Sequence, residues 1–238
     1  MNEFGKPKDG KVKLYHDNGN LKVRGQNLDG KPIGKFFLYH KNGEISGEGQ
    51  LDGYMDEYND NSFPKKIGKW SYYYENGIKK EEGYYKTQTK NDFMPIKEGV
   101  WTYWDEEGVK IKEIIMPDYI VTYFYENGLI ESTGKEAYYD KYYNRPGLYK
   151  KKGKWKIFHE NGKLKEESSY VFINKTRMDE IQGLRITYHK NGVKSSESNY
   201  FCNRIYGLEV WWDENGKEKG RKKHESKLKV MARHFNIG

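Results

Sequence analysis

The chain is poor in what usually builds a compact core. Leu, Ile, Val and Phe together number 46 of 238 residues, about 19%, a level at which a charged sequence is suspected of disorder. There is a single cysteine, Cys202, which excludes an intramolecular disulfide framework and a zinc site built from cysteines. It lacks a basic or histidine neighbour in sequence beyond Arg204 and reads as a strand residue. No run of eighteen apolar residues occurs, so no transmembrane helix is predicted, and no apolar run of the signal-peptide kind follows Met1. What the chain has instead is rings: 22 Tyr, 10 Phe and 6 Trp. Aromatic side chains bury large areas each, so a chain short of aliphatics still folds when its rings stack in register.

The net charge of +8 is uneven. From Lys217 onward eight Lys or Arg stand against Glu218 and Glu225, which leaves only +2 for the first 216 residues. The basic character belongs to a tail.

One motif returns eight times. "LYHDNGN" at 14–20 is followed by "LYHKNGE" at 38–44, "YYYENGI" at 72–78, "IFHENGK" at 157–163 and "TYHKNGV" at 187–193, with turn glycines at Gly19, Gly43, Gly77, Gly108, Gly128, Gly162, Gly192 and Gly216. Four residues before each glycine stands a ring: Tyr15, Tyr39, Tyr73, Trp104, Phe124, Phe158, Tyr188 and Trp212. Nine before it stands another glycine in seven copies, Tyr119 being the exception. Self-similarity at this period marks a repeat architecture. Between the two glycines polar and aromatic residues alternate, the period of a strand entering a hairpin. Seven copies have Asn before the glycine, but the fourth has Glu107. A type I turn closed by a glycine bulge needs positive φ only at the glycine, so that turn is expected in preference to type I′. One hairpin is marginal alone; eight side by side accumulate cross-strand contacts. The expected fold is all-β: an elongated single-layer antiparallel sheet of about eight tandem β-hairpins, with the invariant ring of each turn packed on its counterpart as a spine.

The pattern Gly-x-aromatic-x-x-aromatic-x-x-Asn-Gly, with connectors such as "DGKPIGKF" at 29–36, resembles the bacterial variant of the MORN repeat over roughly residues 10 to 221. The resemblance implies a hairpin array used for protein or lipid contacts, without catalytic residues. Some bacterial members are labelled antitoxins or immunity proteins, so a toxin-neutralising role is an alternative. The opening "GKPKDGKVKLY" repeats the connector "DGKPIGKFFLY" with no return strand before it, which predicts an upstream repeat, and an export signal removed with it. A cytoplasmic and an exported surface protein both fit.

Turn spacings of 20 to 34 residues place extra residues near 52–66, 86–97, 137–152 and 172–182, between a return strand and the next outgoing strand. Insertions gathered on one edge often form a binding surface. Tyr138, Tyr139, Tyr142, Tyr143 and Arg145 in the third, with Tyr54 and Tyr58 in the first, are candidate partner contacts, since rigid rings among adaptable polar groups suit a paratope. The alternative is that these tyrosines extend strands and pad the sheet.

The remaining motifs favour structure over chemistry. His16, His40, His159 and His189 all stand three before a turn glycine, a place the repeat itself explains. Asp52, Asp56, Glu57 and Asp60 lack the ligand spacing of a calcium loop. "GQNLDGKP" at 25–32 ends in Pro32 where a phosphate loop needs Ser or Thr. No acid and base pair stands out, so no enzyme, metal, cofactor or small-molecule substrate is expected. The tail from 222 to 238 switches to helical period, with Ser226 as N-cap and Leu228, Met231 and Phe235 on one face. It reads as a cap on an array spanning 1–221. In the alternative reading Arg221, Lys222, Lys223, Lys227, Lys229 and Arg233 meet anionic lipid or nucleic acid. The expected partner is another macromolecule, a protein first.

Overall fold

Strand-forming segments alternate with Asn-Gly turns along the whole chain, and the computed structural model, which describes residues 9–52, 65–87, 95–139, 148–173 and 178–235, pairs them accordingly. Two compact units result, Met1–Pro117 and Asp118–Gly238. The first holds β1 (Gly10–Tyr15), β2 (Leu21–Leu28), β3 (Lys31–Tyr39), β4 (Ile45–Asp52), β5 (Lys66–Tyr73), β6 (Lys79–Tyr85), β7 (Lys97–Trp104) and β8 (Lys110–Met116). Each pairs antiparallel with the next, an up-and-down meander of four hairpins.

The second unit holds β9 (Ile120–Phe124), β10 (Ile130–Tyr139), β11 (Leu148–Phe158), β12 (Leu164–Ile173), β13 (Met178–Ile181), β14 (Gly183–Tyr188), β15 (Lys194–Phe201), β16 (Arg204–Trp212), β17 (Glu218–Lys223) and α1 (Lys227–Phe235). β13 and β14 both pair with β12, so together they form one interrupted outgoing strand, and the meander again contains four hairpins. Among the described residues, seventeen antiparallel strands and one short C-terminal helix make the fold all-β, built from tandem hairpins.

The turns follow the bulged geometry. In the third, Gly77 N donates to Tyr74 O at 3.0 Å and Tyr74 N to Ile78 O at 2.8 Å, with φ of +82° at the glycine. Asn76 keeps negative φ, and the register shifts between Tyr72 and Tyr73. Glu107 is tolerated in the fourth copy for the same reason. The phosphate-loop look-alike is a connector in which Asp29 and Gly30 carry φ of 51° and 71° between β2 and β3.

Successive hairpins are stitched at their turns. The residue three before the turn glycine donates to the backbone carbonyl of the next hairpin's invariant ring: His16 Nε2 to Tyr39 O, His40 Nε2 to Tyr73 O, Tyr74 Oη to Trp104 O, each at 2.9 Å. The second unit repeats this with Tyr125 to Phe158, His159 to Tyr188 and His189 to Trp212. A carbonyl only accepts, so Nε2 carries the proton in each histidine. Asn beside the glycine makes a second stitch, as in Asn42 Nδ2 to Glu75 O at 2.9 Å, while its Oδ1 accepts from Glu44 N at 3.0 Å.

Both units end where the donor is lost. Their last hairpins carry Asp105 and Asp213 at the stitching place, and these carboxylates turn inward to accept from Val109 N at 2.8 Å and Lys217 N at 3.0 Å. His40→Ala and Asn42→Ala are each expected to cost about 1 kcal/mol, read as a lower urea midpoint at unchanged slope.

The spine lies elsewhere than the invariant ring. Tyr15 is exposed, and Tyr39, Tyr73, Trp104, Phe124, Phe158, Tyr188 and Trp212 are only half-buried. Among the described residues, the place seven before a turn glycine holds the buried rings Phe36, Trp70, Trp101 and Trp155. Each lies on a glycine of the preceding return strand: a Cβ at Gly25, Gly49, Gly83 or Gly134 would stand 2.4, 2.1, 2.3 or 2.4 Å from the covering ring. Each indole also donates to the carbonyl next to its glycine, Trp70 to Gln50 at 3.0 Å, Trp101 to Tyr84 at 3.1 Å and Trp155 to Lys135 at 3.0 Å. A ring that sits flat on bare backbone buries its face without a second sheet.

The C-terminal helix packs on β15 and β16, with Val230 buried against Phe201 and Cys202 and with Met231 and Tyr206 beside them. Leu228, expected on the buried face, is 77% exposed. Met231 packs on the face expected of it, and Val230 takes the buried place that Leu228 was expected to hold. The β15–β16 turn corrects a second expectation: Cys202 leaves the strand and, with Asn203, adopts positive φ, 47° and 63°.

Candidate binding surface

In the first unit the two sides of the meander have different chemistry. One side carries the chain of rings Tyr72, Trp70, Tyr85 and Trp101, with centroids 5.7, 6.5 and 5.1 Å apart in succession. Lysines eleven residues before the turn glycine lie over them: Lys66 Nζ is 4.7 Å from the Trp70 ring and Lys97 Nζ 3.6 Å from that of Trp101. Within the second unit Lys151 covers Trp155 at 4.5 Å. Burial pushes the Lys66 and Lys97 ammonium groups down from their ordinary pKa, against the pull of Glu81. Burial also pushes the phenols of Tyr72 and Tyr85 up. Cation and ring stabilise each other most when both are partly dry, so this side is sealed by its own lysines.

The other side carries a row of polar residues in register, Glu48, Ser71, Glu82, Thr102 and Glu113. Lys35 bonds Glu48 at 3.2 Å, Lys69 and Lys79 bond Glu82 at 3.0 and 2.6 Å, and Lys110 bonds Glu113 at 3.2 Å. Burial alone would raise the Glu82 carboxyl; hydrogen bonds from Lys79, Lys69 and Ser71 outweigh it and hold the pKa at about 2. Beyond this row the side turns apolar. Tyr84 stands opposite Lys69, and Val100 opposite Ile115, at 52%, 49% and 43% exposure. Three large side chains left open beside a fixed pattern of ion pairs suit macromolecular contact, with apolar area for affinity and charges for register.

The second unit breaks the ring pattern. Where glycine gives way to Ser168, the next hairpin has Arg185 in the ring's place. Its Nη2 donates to the buried Glu166 at 2.6 Å and its Nη1 to Tyr200 Oη at 3.2 Å, while Ser168 Oγ donates to Glu166 at 2.8 Å. Burial would raise the Glu166 carboxyl, but bonds from Arg185 and Ser168 prevail and lower it. The pair replaces a stacked ring with a charged clamp between β12 and β14.

Of the sequence candidates, Tyr138 and Tyr139 lie on β10 opposite Tyr149 and Leu148. Tyr142, Tyr143, Arg145, Tyr54 and Tyr58 lie outside the described residues. The basic candidates divide between two elements. On β17, Arg221 forms two bonds to Glu218, at 2.8 and 2.7 Å, and Lys222 and Lys223 face Glu209 and Leu208. On α1, Lys227 lies 5.8 Å from the Tyr206 ring, Arg233 pairs with Glu225, and Lys229 follows on the same helix. The Tyr84, Val100 and Ile115 group was not read from the sequence. Its signal there is an apolar residue directly after the outgoing-strand glycine, at Val100, where the first unit's other copies have Lys11, Lys35 and Lys69; in the second unit Leu184 and Leu208 share that place.

Three segments, residues 8–26, 66–87 and 151–171, match the family described as MORN repeat variant. No curated protein sequence matches the chain. Among solved structures it is similar at 10% identity and a TM-score of 0.20 to a chain of the Photorhabdus luminescens Tc holotoxin pore carrying a TccC3 mutation, with 91% of this chain and 12% of that one covered. A TcdB2-TccC3-Cdc42 structure aligns at 9% identity and a TM-score of 0.17, over 84% of this chain and 13% of that one. The chain therefore spans roughly an eighth of the length of these structures.

Proposed function

We propose, from the premise that the chain carries MORN repeat variant units, that it is a non-catalytic scaffold that binds another protein through the open side of its first unit. The reading is carried by one observation: Tyr84, Val100 and Ile115 remain exposed on the side ordered by the Lys35–Glu48 and Lys69–Glu82 pairs, while the opposite side is sealed by Lys66 and Lys97. An apolar centre with a polar rim is the anatomy of a protein interface. The inserted segment at 137–152 adds tyrosines to the same scaffold and serves as a second contact. A protein whose neutralisation requires such contact, as in toxin and immunity pairs, is one class of partner.

Two exposed substitutions test this. Val100→Glu with Ile115→Lys places charges on the patch while keeping the strands, so the thermal midpoint is expected to stay within about 2 °C, as for surface changes of under 0.5 kcal/mol. Capture of a partner by the immobilised chain is expected to fall at least about tenfold, a loss of about 1.4 kcal/mol. Undiminished capture by this variant, with loss on deleting 222–238 and a steep fall with salt, would transfer the function to the basic tail and an anionic surface.

A further inference from the structure

Three side chains from separate stretches converge beside the C-terminal helix: Glu180 of β13, Cys202 of the β15–β16 turn and His234 of α1. A carboxylate oxygen, the thiol sulfur and an imidazole nitrogen all lie within 4.8 Å of one another. Glu180 and Cys202 are buried and His234 half-buried. The positive-φ turn at Cys202 and Asn203 is fixed from below, since Asn203 Oδ1 accepts from Ile181 N at 2.7 Å and Asn203 N donates to Ile181 O at 3.1 Å. The His234 ring is held edge-on to Phe201, with centroids 5.8 Å apart. Val230, Met231 and Tyr206 close the apolar surround.

From this convergence we infer that Glu180, Cys202 and His234 form a binding site for a zinc-class divalent transition metal, which pins α1 to β13 and the β15–β16 turn. Tetrahedral zinc takes thiolate at about 2.3 Å and imidazole or carboxylate at about 2.0–2.2 Å. Those bond lengths put ligand atoms about 3.3–3.7 Å apart, so the three donors close on an ion by small side-chain rotations. One sulfur, one nitrogen and one oxygen donor suit a borderline ion rather than calcium or magnesium, which take oxygen alone. A fourth position is left for water. The thiol donates its proton toward Glu180 in the metal-free chain, and binding exchanges that proton for the ion: Cys–SH and M²⁺ give the metal thiolate and H⁺, which leaves to solvent. The ion also answers a structural need. A nine-residue helix is too short to persist on its own.

Cobalt substitution tests the site in the full 238-residue chain after chelator treatment. One equivalent of Co²⁺ is expected to give sulfur-to-cobalt charge transfer in the near ultraviolet, removed when Zn²⁺ displaces it. Zn²⁺ is expected to slow alkylation of the single thiol. Cys202→Ser and His234→Ala should weaken Zn²⁺ binding by more than the about 10- to 100-fold lost when a residue that merely orients a ligand is changed, and Glu180→Gln by less. His189→Ala, which removes only a backbone stitch, should leave affinity unchanged. Absence of the charge-transfer band in the unaltered chain, alkylation indifferent to Zn²⁺, or binding that survives both Cys202→Ser and His234→Ala would each overturn the inference. The band and the alkylation rate need no variant, so a folding defect in a variant leaves the test intact.

Discussion

Gly49→Ala is expected to destabilise the first unit by about 3–5 kcal/mol, the cost of removing a large buried ring, although it adds one methyl group. The new Cβ would stand 2.1 Å from Cδ2 of Trp70, a distance no pair of carbon atoms tolerates. The strand has little room to retreat, because Gly49 faces the bulge where the register between β4 and β5 already shifts. The indole must therefore leave, losing its contact with backbone, its bond to Gln50 O and the lysine above it. For a chain of this size the change corresponds to a fall of about 6–20 °C in the thermal midpoint. The same methyl group introduced beside Trp70→Leu should cost under about 1 kcal/mol. A coupling above about 2 kcal/mol in that double-mutant cycle would identify the loss as ring against glycine. Equal costs in both backgrounds would mean that Gly49 matters only as backbone.

The second large effect is expected at Arg185. Arg185→Met leaves Glu166 buried without its guanidinium, and breaking such a pair by removing one partner costs about 3–5 kcal/mol at neutral pH. The penalty depends on pH with a defined sign. The folded-state pKa of Glu166 is lowered, so the pair's contribution is complete above the unfolded value of about 4.3 and is lost as pH falls through the lower folded value. The gap between the wild type and Arg185→Met is therefore expected to be full at pH 7 and to narrow below about pH 4.3. Urea unfolding at pH 7 and pH 3 measures it. A gap of equal size at both would show that Arg185 acts by packing alone.

The hairpins, their number, the bulged turn and the all-β architecture were legible because each is a local demand. Each of the eight repeated turns places its positive φ on glycine, and seven of them have Asn beside it. The spine was misplaced for the complementary reason. An invariant ring four residues before the turn glycine looked like a core, yet what is invariant there is the backbone carbonyl that receives the previous hairpin's His or Tyr. Tyr73 and Tyr188 instead direct their hydroxyls to Glu48 and Glu167. The place seven before the turn glycine holds a ring where the preceding strand offers Gly25, Gly49, Gly83 or Gly134, and Arg185 where it offers Ser168. That match appears only when the place seven before one turn glycine is compared with the place six after the previous one. The histidines were read as structural, and their Nε2 atoms serve the stitches. Cys202 escaped because Glu180 and His234 are separated from it by 22 and 32 positions in sequence and meet it only when α1 docks.

The contact that holds neighbouring hairpins belongs to neither of them. Its glycine or serine is inherited with one copy and its ring or arginine with the next. A gene duplication cut in the Asn-Gly turns carries both halves together and inserts a finished joint. One cut in the connectors joins unacquainted halves and must be repaired by mutation before it holds. The inheritable module of this chain therefore runs from turn to turn, out of phase with the hairpins the eye picks out.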